Sequence, residues 1–304
     1  MDDSESMTTS PAAVRVARLS KSYGAFDAVS DISFDIQPGE TFALLGPNGA
    51  GKSSTIEILE GYRDRSEGDV TVLGVDPQHG GLDWKARIGI VLQSSGESGN
   101  ATVREQLHHF AGLYPNPRSV DEVIAAVGLE AKAKTRIHKL SGGQQRRVDV
   151  ALGVIGRPEL LFLDEPTTGF DPEARHQFWD LIRSLKAEGT TILLTTHNLD
   201  EAAALSDRAG IIVGGRLIDI GTIDQLGGPD ARIPLVRWRD ASGTQHEEHT
   251  VTPARLVAAL VAAAGGEPDD LQVIRPSLED IYLGLVRRHA AHSATETQNA
   301  EVLA

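Results

Sequence analysis

The hydrophobic positions along this chain change period several times, and each change marks an element. Positions 14–19 alternate apolar and polar, as does the stretch 27–36, which predicts two half-buried strands with a turn at Tyr23 and Gly24 between them. Positions 41–45 (TFALL), 160–163 (LLFL) and 191–196 (TILLTT) are instead continuously apolar or β-branched, the pattern of strands buried on both faces. Shorter runs at 68–74 and 88–92 predict further strands, and 211–218 reads as a hairpin turning at Gly214 and Gly215. Elsewhere the spacing is helical. Positions 54–59 fit one helix, Val103, Leu107, Phe110 and Leu113 share one face of a second, and Val120, Val123, Ile124 and Val127 share a face of a third. Two more helices are predicted from 144 toward 156 and from 172 to about 186. Apolar strands alternating with helices predict an α/β fold with a parallel sheet core covered on both faces, preceded by an antiparallel β edge.

From position 233 the texture differs. Two alternating strands flank Ser242 and Gly243, a helix over 253–264 is stopped by Gly265, a strand follows at 271–274, and a helix opens at Ser277 with Asp280 placed for a capping box. This ββαβα order predicts a small C-terminal α+β domain over 228–288. The main domain is expected over 12–227, with a helical insertion at about 96–156. The polar, aperiodic ends, 1–11 and 289–304, are expected to be disordered.

Composition narrows the class. The 304 residues are 40% hydrophobic, enough to bury a core, and 43 acidic against 29 basic residues give a formal charge of −14. That balance argues against a surface built for nucleic acid. Without cysteine there is no disulfide framework, thiolate zinc site or cysteine nucleophile. No run approaches the roughly 18 apolar residues of a membrane span, the longest being 256–264, and the acidic first ten residues lack the features of a signal peptide. The expectation is a soluble chain that is not exported.

One loop carries recognisable chemistry. Gly46, Pro47, Asn48, Gly49, Ala50, Gly51, Lys52 and Ser53 fit G-x-x-x-x-G-K-[ST], with a buried strand before them and a helix beginning at Ser54 after them. Glycines let successive backbone N–H groups turn toward a polyphosphate, and the helix N-terminus adds its partial positive charge. Lys52 is placed to reach the β- and γ-phosphates and Ser53 to ligate Mg²⁺. A glycine-rich strand-to-helix turn is the plain alternative, and the flanking elements disfavour it. Gln93, Asp164, Glu165 and His197 each follow a predicted strand, at the carboxyl edge where ligands of such sheets bind.

With these motifs in this order, the stretch from about Val14 to Gly221 resembles the nucleotide-binding subunit of an ABC transporter, and the fold this implies is the ABC type of the P-loop NTPases. Leu140, Ser141, Gly142, Gly143 and Gln144, continued by Arg146 and Arg147, resemble the family's signature loop. Positions 160–165 resemble the Walker B strand, 168–171 the D-loop, Gln93 the Q-loop, His197 the switch histidine and Tyr23 the aromatic that stacks on adenine. The resemblance implies that Asp164 and Gln93 help hold Mg²⁺, that Glu165 polarises the attacking water, that His197 contacts the γ-phosphate, and that Asp171 communicates across a dimer. It further implies that Leu140 to Gln144 close on ATP held by a second copy, and that the pair drives a separately encoded membrane permease from the cytoplasmic face. Phe170, where leucine is usual, and Ala101 are small departures. The appendage and the segment 276–282 (PSLEDIY) resemble exporters of the daunorubicin-resistance type, implying export of a drug, antibiotic or lipid-like compound.

Competing readings differ in strength. Tyr23 is also a plausible packing residue of a turn, and His197 a helix cap. His246, Glu247, Glu248 and His249 invite a metal reading, but on an alternating strand positions three apart face opposite sides. His108 and His109 read as surface. A non-transport ABC ATPase is the alternative function. A phosphotransferase or GTP switch would not need the signature loop.

Overall fold

The computed structural model of the chain describes residues 11–91 and 100–289. It contains two compact units, dividing between Ile220 and Gly221; the domain start expected at 228 lies inside the second.

In the first unit β1 (Val14–Tyr23) and β2 (Phe26–Ile36) form a hairpin, and β4 (Glu67–Val72) pairs on the other side of β1. The antiparallel part is therefore a three-stranded sheet of its own, ordered β2-β1-β4. Its alternating pattern explains this. Val14, Val16, Ile32, Phe34, Ile36, Val70 and Val72 are buried on one face, and Phe34 stacks on Phe42 of β3 (Thr41–Leu45) with ring centroids 5.4 Å apart. Each such large side chain contributes about 1.5–3 kcal/mol on burial. β1 runs through Tyr23, so the turn falls at Gly24 (φ +62°) and the tyrosine ends a strand.

The continuously apolar runs become the central strands of a six-stranded sheet. After α1 (Lys52–Leu59) and the short α2 (Leu82–Lys85) come β5 (Ile88–Val91), β6 (Leu160–Asp164), β7 (Thr191–Thr196), β8 (Arg208–Val213) and β9 (Arg216–Thr222), in the order β5-β6-β7-β3-β8-β9. The pairs from β5 to β8 are parallel. Gly214 and Gly215 (φ +54° and +78°) make the final hairpin turn, both in the left-handed region that such a turn needs.

Between β5 and β6 lie α3 (Val103–Ala111), α4 (Val120–Ala126) and α5 (Gly142–Val154). Thr102 and Glu105 cap α3 reciprocally, and Val103 and Leu107 are buried as the period predicts. Leu113 is not: it is 67% exposed. The helix has already ended, at Gly112, so the spacing from Phe110 to Leu113 no longer describes one face. After β6, α6 (Pro172–Ala187) and α7 (Leu199–Leu205) link the remaining strands.

The second unit holds the antiparallel sheet β11-β10-β12, made of β10 (Leu235–Arg239), β11 (Gln245–His249) and β12 (Asp269–Ile274), with α8 (Pro253–Ala264) before β12 and residues 278–289 helical. Gly265 (φ +70°) ends α8, and Ser277 and Asp280 form the capping box. His246 stacks on Trp238 at 5.3 Å and sits 2.8 Å from Asp240 Oδ2, while Glu247 pairs with Arg237 at 2.7 Å. Hydrogen bonds from the Ser242 hydroxyl, His246 and the Thr244 amide hold the Asp240 carboxyl well below the usual range.

Candidate nucleotide site

Strand register assembles the site. Leu45 lies opposite Thr196, and Asp164 opposite Thr195, so β3, β6 and β7 end at one level of the sheet. The residues that follow each strand, Gly46, Glu165 and His197, therefore meet at its carboxyl edge. β5 ends at the same edge, since Val91 lies opposite Leu163; Gln93, two positions on, lies outside the described residues.

A cleft of about 630 Å³ opens there, lined by Tyr23, Phe26, Ala28, Asn48, Gly49, Gly51, Lys52, Ser53, Ser54, Glu165 and His197. Within the loop, two glycines are required by the chain itself. A Cβ on Gly46 would stand 2.2 Å from the Ile212 carbonyl oxygen, and one on Gly51 (φ +105°) 2.4 Å from that of Ala28. Pro47, Asn48 and Gly49 are exposed and Ala50 is buried. Lys52 is buried, and its ammonium donates to the carbonyls of Gly46 (2.8 Å) and Pro47 (3.1 Å). Burial pushes its pKa down, opposed by the charges of Glu165 and Asp164.

The acidic side is organised by a residue that the sequence reading missed. Thr195, wholly buried, donates its hydroxyl to Asp164 Oδ1 and lies 3.2 Å from the Glu165 amide nitrogen, which also bonds the Thr195 carbonyl at 3.1 Å. Glu165 Oε1 is 3.3 Å from His197 Nδ1. The helix cap is Asn198, whose side chain accepts from the amides of Asp200 and Glu201, so His197 is not used for capping. Glu60, buried at the end of α1, has its pKa pushed up to about 8 by burial, with the charges of Asp164 and Glu57 acting in the same direction. Phe26, 62% exposed opposite Tyr23 across the hairpin, adds a second aromatic ring to the cleft wall. Its place directly after a turn was the available signal. Tyr23 itself is 41% exposed, with Lys21 Nζ 5.1 Å and the Arg63 guanidinium 5.3 Å from its ring centre.

The signature-like residues are elsewhere. Ser141, Gly142, Gly143, Gln144, Gly169 and Asp171 line a separate polar cleft of about 480 Å³. Leu140 is buried and anchors the loop. Ser141 and Gln144 cap α5 reciprocally at 3.3 and 3.2 Å, and Asp171 caps α6 through the Ala174 amide at 2.8 Å. Neither Gly142 nor Gly143 has a positive φ, and a Cβ on either would have open space around it. Glycine in a helical turn costs about 1 kcal/mol relative to alanine. Among the described residues, nothing requires it here.

A glycine cradle between a parallel strand and a helix, facing paired carboxylates at the next strand ends but one, defines the class: a P-loop nucleoside triphosphatase. The chain belongs to the ABC transporter family and is an ATP-binding subunit with ATPase activity, as its relatives show. The ABC transporter family model matches residues 29–168. Nod factor export ATP-binding protein I of Rhizobium johnstonii is 40% identical, aligned over 94% of this chain and 98% of that protein. Its namesake in Sinorhizobium fredii is 44% identical over 94% and 90%. Among solved structures, an ATP-binding subunit of an ABC transporter is 28% identical with a TM-score of 0.64, covering 70% of this chain and 91% of that one. A dimeric ATP-binding cassette in a post-hydrolysis state with ADP and Pi shares the fold, with a TM-score of 0.63 at 23% identity over 69% and 98%.

Proposed function

We propose that the chain is the motor of an exporter: two copies close around two ATP molecules and drive a separately encoded membrane permease from its cytoplasmic face. The observation that carries this is the separation of the two clefts. Among the described residues, the signature-like loop does not line the cleft of the phosphate loop in its own chain, and its two glycines are left bare where no described part of the chain needs them. Bare backbone at a helix N-terminus suits the γ-phosphate of a nucleotide held by another copy. No described helix is long and apolar enough to cross a membrane, which fits a motor that works with a separate permease.

In this reading Tyr23 and Phe26 flank the base, the amides from Gly49 to Ser54 and Lys52 take the phosphates, Glu165 orients and deprotonates the attacking water, and His197 holds the γ-phosphate. Asp171 lies beside the signature loop, on the face offered to the second copy. Ser53 and Asp164, with Gln93, are the residues to hold Mg²⁺. Their hydroxyl, carboxylate and amide oxygens are the hard donors this ion takes, and Thr195 engages only one oxygen of Asp164 in the described contacts. The ion supplies charge neutralisation between phosphates. Export is supported by the relatives, whose alignment over 94% of the chain includes most of the second unit. The cargo class that fits is a drug, antibiotic or lipid-like compound. The test is Glu165→Gln: hydrolysis falls about 10²–10⁴-fold while the Kd for ATP stays within a few-fold of wild type. Unimpaired hydrolysis would refute the assignment.

A further inference from the structure

Glu165 holds an unusual backbone conformation, and a buried guanidinium brackets it. Its φ is +44°, in the left-handed region that a residue bearing a Cβ disfavours. The carbonyls on either side of it converge on a single guanidinium: Arg146 Nη2 donates to Asp164 O at 2.9 Å and Nε to Pro166 O at 3.0 Å. Arg146 is buried and grows from the second turn of α5, the helix that Ser141 caps. Asp149, on the same helix, lies 3.9 Å from the third nitrogen and helps fix the plane. A planar fork spanning two acceptors sets their spacing and direction together, which a single ammonium cannot do.

We infer that Arg146 is a positioning residue for hydrolysis: it fixes the backbone that aims Glu165 and ties that backbone to the signature helix. The helix whose first turn carries Gly142 and Gly143, capped by Ser141, is thereby joined to the segment that carries the catalytic carboxylate. Seating the loop on a nucleotide sets the carboxylate of the same chain. This rests on the reading of Glu165 as the group acting on water, and it adds a route by which ATP at one site reports to the other.

The test compares Arg146→Lys, Glu165→Gln and the double variant in the full chain, measuring kcat, KM and the Kd of a fluorescent ATP analogue. Lysine keeps the charge but cannot bridge both carbonyls. Arg146→Lys is expected to lower kcat at least 10-fold with KM and Kd within about 3-fold, and to add nothing to Glu165→Gln. Full kcat in Arg146→Lys, or losses that multiply in the double variant, would overturn the proposal. A parallel fall in ATP affinity would also overturn it, as the mark of a merely structural residue. If Glu165→Gln alone hydrolyses ATP at the wild-type rate, it is the underlying reading that fails. Should Arg146→Lys not fold, hydrogen exchange of the wild type with a non-hydrolysable ATP analogue decides. The amides of Glu165, Thr167 and Thr168 must slow together with those of 142–145, and slowing of the latter alone overturns the coupling.

Discussion

Replacing Thr195 by valine removes one hydroxyl from the interior and leaves the shape of the side chain unchanged. That hydroxyl is the donor to Asp164 Oδ1, and Thr195 has no exposed surface, so water cannot substitute for it. The hydroxyl also accepts from the Glu165 amide at 3.2 Å, but that amide keeps the Thr195 carbonyl at 3.1 Å, so the unreplaced loss falls on the carboxylate. A hydrogen bond to a charged group contributes about 1.5–3 kcal/mol. In a unit of this size that corresponds to a fall in Tm of about 2–4 °C per kcal/mol, or roughly 3–12 °C. Thr195→Ser keeps the donor and loses one methyl, so its loss is nearer 1 kcal/mol. Thermal and urea unfolding of the full chain measure both, read on the transition that ATP shifts upward, which identifies the first unit. Thr195→Val as stable as wild type, or no more costly than Thr195→Ser, would refute the reasoning.

Two further outcomes follow from the cleft. With a folded-state pKa raised to about 8, Glu60 favours its neutral form, so native stability falls as pH rises from the ordinary carboxylate range through 8. Glu60→Gln should therefore gain in Tm over wild type at pH 9 and show little gain at pH 5; an equal difference at both pH values would contradict the shift. Tyr23→Ala should raise the Kd for ATP by about 5- to 150-fold, the range expected for loss of base stacking at about 1–3 kcal/mol, with little change in Tm because the ring is exposed. Unchanged affinity would show that Lys21 and Arg63 pack against the ring for another purpose.

The strands and the phosphate loop were legible because their signals are local. A run such as TILLTT needs no partner to be read, and Gly46 to Ser53 lie in one stretch of chain. What escaped depends on register and on pairs distant in sequence. Thr195 matters because β7 places it opposite Asp164, and Arg146 because α5 carries its guanidinium to carbonyls 18 and 20 positions away. Both looked ordinary, one a β-branched residue in a strand, the other a cation following the signature loop. Phe26 needed the hairpin to bring it beside Tyr23. Leu113 failed because periodicity carries no notice of where a helix stops.

The central claim, that each chain holds half of two nucleotide sites, is tested most directly by the solution mass of Glu165→Gln with and without Mg-ATP. The mass should double with ATP and not with ADP. Adding Ser141→Arg should abolish the doubling while leaving ATP bound to the single chain, because that substitution lies outside the cleft of its own phosphate loop. A mass unchanged at saturating ATP, or doubling that survives Ser141→Arg, would contradict the account.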